Sequence, residues 1–394
     1  MQRWLAVGLL GFAALAPLSA DTAVVLPFLN KTTGSPNLDW IGESVAETVH
    51  DALASEGLLA LDRDSRMEGY RRLSLRPGAE LTHASIIKVA EALDASQVIY
   101  GFYEVLPAPD SEGRSKGSLR ITARILDMKA GVLGPSFGEV GAMEDLATVE
   151  ERLAWQALES LSPKTAPPEE EFLKARPPVR LDAVESYIRG LLAGTPDLRR
   201  HYFTQAARLD EHYSQPCFQL GKSSWGQKDY KAAAGWFDRV AHADPHYLEA
   251  RFFFGLCRYY TGDFQAAEGA FQEVAAAVPL NEVYNDLGAA QAQRDDSAAL
   301  ASYRKALEGD DADPDYRFNM GYAQWRLGRF DEAVESFRAA LDREPGDTEA
   351  TTFLGLALQR QGPRPGDPKT AGRQRLKTNY EEQAYRELQA ELKK

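Results

Sequence analysis

From residue 183 onward the apolar positions keep a helical period, and the same arrangement returns at a fixed interval. Gly221, Gly255, Gly288, Gly321 and Gly355 stand 34, 33, 33 and 34 residues apart. A large apolar residue precedes each one (Leu220, Phe254, Leu287, Met320, Leu354). An aromatic follows in four units (Phe237, Phe271, Tyr303, Phe337), then a small or β-branched residue (Val240, Val274, Ala306, Ala340). Alanines at 233, 267 and 333 and prolines at 245, 279 and 345 complete the frame. The pattern predicts stacked pairs of antiparallel helices. Glycine and alanine let two helices cross closely, and the aromatic fills the space beside the crossing. Proline cannot donate the bond a helix interior needs, so it marks a boundary. The units run over 214–247, 248–280, 281–313, 314–347 and from 348 onward, with a degenerate opening unit at Ala183–Tyr213. The unit 281–313 departs most, because Arg294-Asp295-Asp296 replaces the usual glycine turn.

The amino-terminal half alternates differently. Short apolar runs at 23–28, 58–63, 97–105 and 118–127 read as strands, with a further hairpin strand over 132–140. Amphipathic helices are expected over 37–54, around 67–73 and 85–93, and over 143–161. Residues 107–113, Pro-Ala-Pro-Asp-Ser-Glu-Gly, form a hairpin tip. The expected fold is therefore an α/β domain, a small mixed sheet with covering helices, followed by an all-α solenoid. Prolines at 163, 167, 168, 177 and 178 define an interdomain linker over 163–180, an extended and semi-rigid spacer between separately folding halves. The repeats occupy 181–362. After them come a loop from Pro363 and a last helix, about Thr378 to Leu392, placed to cap the open end of the stack through Tyr380, Ala384, Leu388 or Leu392.

The recurring residues resemble the tetratricopeptide repeat. In the first half, Val25-Leu26-Pro27-Phe28-Leu29-Asn30, Leu38-Asp39-Trp40-Ile41-Gly42-Glu43, Ala95–Gly101 and Leu119–Asp127 together resemble the TolB amino-terminal-like domains of bacterial envelope proteins, related to the FlgO and CsgG groups. That resemblance implies an adaptor that docks other proteins and brings no catalytic residue with it.

Composition narrows the function. A formal charge of −13 argues against a nucleic-acid partner, which requires a concentrated cationic face. Residues 1–20 read as a cleavable export signal: Arg3, an apolar run from Trp4 to Ala16, and Leu18-Ser19-Ala20 before Asp21. That run is shorter than the roughly 20 residues a spanning helix needs, so no transmembrane segment is expected in the mature chain. The resulting expectation is a periplasmic or envelope-associated protein. Cys217 and Cys257 lie on first helices of neighbouring units, but at different repeat positions. Two buried small side chains are favoured over a bridge.

Catalytic and metal signatures fail on inspection. Gly221-Lys222-Ser223 lacks the upstream glycine of a phosphate loop, since position 216 is Pro216. Pro245 separates His242 from His246. Asp311, Asp313 and Asp315 alternate like calcium ligands, but Tyr316 follows and no glutamate closes the loop, so a solvated acidic turn is expected. No enzyme activity, catalytic residue, metal or cofactor is assigned.

In the tetratricopeptide family the concave face is lined by first-helix positions 2, 5, 9, 12 and 13. Carrying those positions over gives an aromatic groove of Phe218, Lys222 and Trp225, then Phe252, Tyr259 and Tyr260, then Phe318, Tyr322, Trp325 and Arg326. Aromatics and arginine gain most from burial against a partner, so these ten residues are expected to bind a protein or peptide. The basic tail is compatible with an acidic partner, but a solvated capping helix is the simpler account of it. The expected function is a non-enzymatic exported scaffold whose α/β domain docks an envelope component. The alternative is an accessory of secretion or assembly machinery that oligomerises through that domain. Sequence leaves the oligomeric state open.

Overall fold

The structure is a computed structural model describing residues 22–106, 117–294, 296–364 and 369–392. The expected export signal and the hairpin tip at 107–113 lie outside the described residues.

Among the described residues, seven strands form one mixed sheet: β1 (Thr22–Val25), β2 (Leu29–Asn30), β3 (Leu59–Leu61), β4 (Gln97–Leu106), β5 (Ser118–Asp127), β6 (Val132–Leu133) and β7 (Phe137–Ala142). β1 lies parallel between β3 and β4, while β4 pairs antiparallel with β5 from Gln97↔Asp127 to Leu106↔Ser118. β2 adds to β4, and both β6 and β7 add to β5. The hairpin strand expected over 132–140 is split in two. The Gly134 amide donates to the Ile125 carbonyl at 2.9 Å, and Pro135, which has no N–H to offer the ladder, ends the pairing.

β1 is apolar and buried from Ala23 to Val25 because both its faces are covered there. Ala23 and Val25 join α1 (Trp40–Ser55) and α4 (Leu146–Leu161) in the larger core. Val24 and Leu26 face α2 (Arg63–Arg72) and α3 (His83–Ala92).

The segment 163–180 differs from the extended spacer expected of its prolines. It holds a short helix, α5 (Glu169–Ala175), whose Phe172 is buried beneath the Arg176 guanidinium at 3.9 Å. The Trp155 indole donates to the Pro167 carbonyl at 2.9 Å, fixing the entry. Pro168 supplies the start of this helix, and Phe172 gives it an apolar face to bury. The halves are consequently joined. One buried cluster runs from Ala23 through α1 and α4 into α6 (Leu181–Leu192) and on to Ala290.

After α6 and α7 (Pro196–Leu209) come the pairs α8 (Ser214–Gly226) with α9 (Tyr230–Phe237), α10 (Tyr247–Tyr260) with α11 (Phe264–Ala277), α12 (Asn281–Ala292) with α13 (Asp296–Gly309), and α14 (Pro314–Arg326) with α15 (Phe330–Arg343). α16 (Thr348–Leu358) has no repeat partner helix packed beside it among the described residues, where α17 (Glu382–Leu392) is the last helix. Three of the repeated glycines lie where a side chain would strike the neighbouring helix's ring. A Cβ at Gly221, Gly255 or Gly288 would fall 2.5, 2.7 or 2.6 Å from the ring of Phe237, Phe271 or Tyr303. Both cysteines are free and buried.

Candidate functional site

The first helices α10, α12 and α14 line a groove, and its floor is set three residues before each repeated glycine. Phe218, Phe252 and Phe318 occupy that register, but in α12 it holds Asn285. One position further on stand Asp286 in α12 and Asn319 in α14. All three polar residues are buried. Asn319 Nδ2 donates to Asn285 Oδ1 at 2.8 Å, and Asn285 Nδ2 donates to Asp286 Oδ1 at 3.0 Å, so the amides are held in fixed orientations.

What they face is the chain's own tail. Past a turn at Gly372, whose φ of 67° is in the left-handed region, the tail runs without helix or strand from Arg373 to Glu381. The Arg375 backbone is gripped at both polar atoms: its N–H donates to Asn319 Oδ1 at 2.8 Å, and its carbonyl accepts from Asn319 Nδ2 at 2.7 Å and from Asn285 Nδ2 at 2.8 Å. The Lys377 N–H donates to Asp286 Oδ1 at 2.9 Å, and the Glu381 N–H to Glu282 Oε1 at 2.9 Å. At one end the Tyr322 hydroxyl donates to the Thr370 carbonyl at 2.6 Å. At the other, Tyr380 stacks on Phe252 with centroids 5.2 Å apart.

Side chains add charge to this main-chain grip. The Arg375 guanidinium lies 3.6 Å over the Phe318 ring and pairs with Asp347 at 2.7 Å, Asp315 at 3.2 Å and Glu349 at 3.2 Å. Lys377 Nζ pairs with Asp313 at 2.8 Å and Asp315 at 2.7 Å. Burial pulls the Lys377 ammonium down, but those two carboxylates outweigh it and raise its pKa. Burial likewise opposes the charge on Asp347, yet the Arg375 hydrogen bond and backbone donors hold its carboxyl below the usual range. Asp286 goes the other way. Burial drives its pKa well up, against the opposing hydrogen bonds from the Lys377 N–H and Asn285.

These contacts correct three expectations. The aromatic stripe is not an open face: Phe252, Phe318, Tyr322 and Trp325 are at most 1% exposed. The tail covers Phe252 and Phe318, Phe353 packs edge-on against Tyr322 and Trp325, and the Trp325 indole donates to the Gln361 carbonyl at 2.7 Å. Phe218 is buried too, stacked on His246 at 4.5 Å. Second, α17 does not cap the stack through the residues proposed for it. Tyr380 lies in the groove, Ala384, Leu388 and Leu392 are exposed, and α17 runs beside β3. Third, the acidic turn is solvated only at Asp311, since Asp313 and Asp315 are engaged by the tail's cations.

The remaining expected residues form the wetter part of the groove. Lys222 pairs with Glu249 at 2.8 Å and sits 4.2 Å over Phe253. Tyr260, 45% exposed, stacks on Tyr230 at 4.7 Å and neighbours Trp225. The Tyr259 hydroxyl accepts from Gln293, which also donates to Gln374 of the tail. Arg326 donates to the Ala292 carbonyl at 3.1 Å. Sequence reasoning passed over Asn285, Asp286 and Asn319. The signal for Asn285 was a polar residue in a register that is phenylalanine in the units to either side.

Solved structures similar to this chain include "Crystal structure of YrrB: a TPR protein with an unusual peptide-binding site", 18% identical with a TM-score of 0.36, covering 48% of this chain and 92% of that one. Another is MamA 41-end from Desulfovibrio magneticus RS-1, 23% identical with a TM-score of 0.37, covering 41% and 92%. No curated protein matches the sequence. The tetratricopeptide-repeat family model matches residues 218–282 and 318–363. The helical half of the chain thus carries tetratricopeptide repeats; α10 lies within the first matched stretch and most of α14 within the second, while α12 falls almost wholly between them.

Proposed function

We infer that the protein is an exported, non-enzymatic scaffold whose repeat groove holds a segment of a partner protein, while the α/β domain docks a component of the cell envelope. One observation carries the groove reading. Asn319 and Asn285 recognise a backbone N–H and carbonyl, groups every peptide offers, and charged and aromatic surfaces on either side add selectivity. Tetratricopeptide repeats commonly serve protein interaction, which supports the same reading. Export and envelope docking rest on the leader-like residues 1–20 and on the resemblance of the α/β half to envelope adaptors.

A photo-crosslinking residue in place of Tyr260, the exposed aromatic of the groove, tests this in the producing cell, with Val132 on the α/β hairpin as the control position. The expected result is an adduct with a second protein from position 260. Adducts only within the chain would overturn the scaffold reading. Recovery of the uncleaved chain in the cytoplasm, still carrying residues 1–20, would overturn export.

A further inference from the structure

We propose that residues 369–381 are a cis-acting stand-in for the partner. On this view the groove selects a partner segment with two cations separated by one residue and an aromatic three positions after the second cation, and that segment binds only by displacing the tail. The inference rests on the groove being a peptide site and adds what it selects and how it is held shut.

The chemistry of selection follows from the fit. Asp313, Asp315, Asp347 and Glu349 converge on Arg375 and Lys377, with Phe318 beneath the guanidinium. Without two cations these carboxylates face one another partly desolvated, so a neutral or acidic segment is rejected by unpaired charge. A planar guanidinium on a ring, pairing with several carboxylates, calls for arginine rather than lysine at the first position. Phe252 offers a ring face where Tyr380 now stacks, which sets the aromatic. Backbone capture at Arg375 fixes the register, because both its N–H and its carbonyl are committed to Asn319.

The hold follows from tethering. The tail leaves the last repeat helix at Leu358 and is in the groove by Thr370, so it competes at an effective concentration on the order of mM. A partner must exceed that, or the tail must first be released.

The test uses the full chain and a labelled synthetic peptide copying residues 369–381, with affinity read by fluorescence anisotropy. Arg375→Glu with Lys377→Glu in the chain expels the tail and leaves every groove residue intact. The peptide is expected to bind that variant at least tenfold more tightly than the unaltered chain. A peptide carrying the same two changes, or Tyr380→Ala, is expected to lose binding. Equal affinity for both chains would overturn tail competition while leaving the groove a peptide site. Binding to neither chain would overturn both. Retained affinity of the charge-reversed peptide would overturn the selection rule. Because the variant chain has to fold, hydrogen exchange on the unaltered chain gives a second reading. Saturating peptide should remove protection from the amides of Arg375 and Lys377, and unchanged protection at saturation would overturn displacement.

Discussion

At the scale of single residues, identical side chains do different work according to what stands across from them. Gly255 faces the Phe271 ring, where an added Cβ would come within 2.7 Å, whereas nothing lies within 4 Å of that atom at Gly355. Gly255→Ala is therefore expected to destabilise by about 1–3 kcal/mol, since the ring must leave its packed position. Gly355→Ala should be neutral or stabilising by up to about 1 kcal/mol, because alanine favours helix. Paired thermal melts check this, and equal shifts would show that the glycines do not mark helix crossings. This distinction was partly legible: the recurring glycine and its aromatic partner sit in one period, and the Gly355 unit has no aromatic at the matching place. The Asn319 grip on Arg375 was not legible, because it joins residues 56 apart and no local period reports such a pairing.

Among the elements, α1 and α4 show how burial links stability to pH. Glu150 of α4 is 1% exposed, and its Oε2 accepts from the Ser44 hydroxyl at 3.0 Å and the Thr48 hydroxyl at 3.1 Å, both on α1. Burial pushes its pKa up to about 8 from an ordinary 4.5, with those hydroxyls opposing the shift only in part. The folded state thus prefers the neutral acid. Its contribution is complete below about 4.5 and is lost as pH rises through about 8. Glu150→Gln, neutral at every pH, is expected to raise stability at pH 8 by on the order of 2 kcal/mol and to change it little at pH 4. Urea unfolding at the two pH values decides, and a gain that is the same at both would sink the argument. Strands and helices of this half were readable from their alternation. The α5 helix was not, because its prolines suggested an extended spacer and its one buried ring, Phe172, has meaning only against the rest of the core.

For the molecule as a whole, the acidic excess is spatially organised. The chain carries −13 overall, while residues 369–377 contain Lys369, Arg373, Arg375 and Lys377 and no acid. The basic tail reads most simply as a solvated cap, with an acidic partner as the alternative. Its acidic receptor proves to be the chain's own first helices, which a reading of charge along the sequence places far away. The repeats were legible because each unit repeats its neighbours' chemistry. Their closure by a remote segment was not, since the tail resembles no unit.

The α17 helix running beside β3 gives that closure a further meaning. β3 ends the sheet order and is hydrogen-bonded to β1 on one side only, so its other margin is the kind of unpaired border that recruits foreign strands. The carboxyl-terminal helix lies against β3 and is reached through the threaded residues that precede it. Unthreading would therefore vacate the trough and loosen the contact of α17 with β3 in one event.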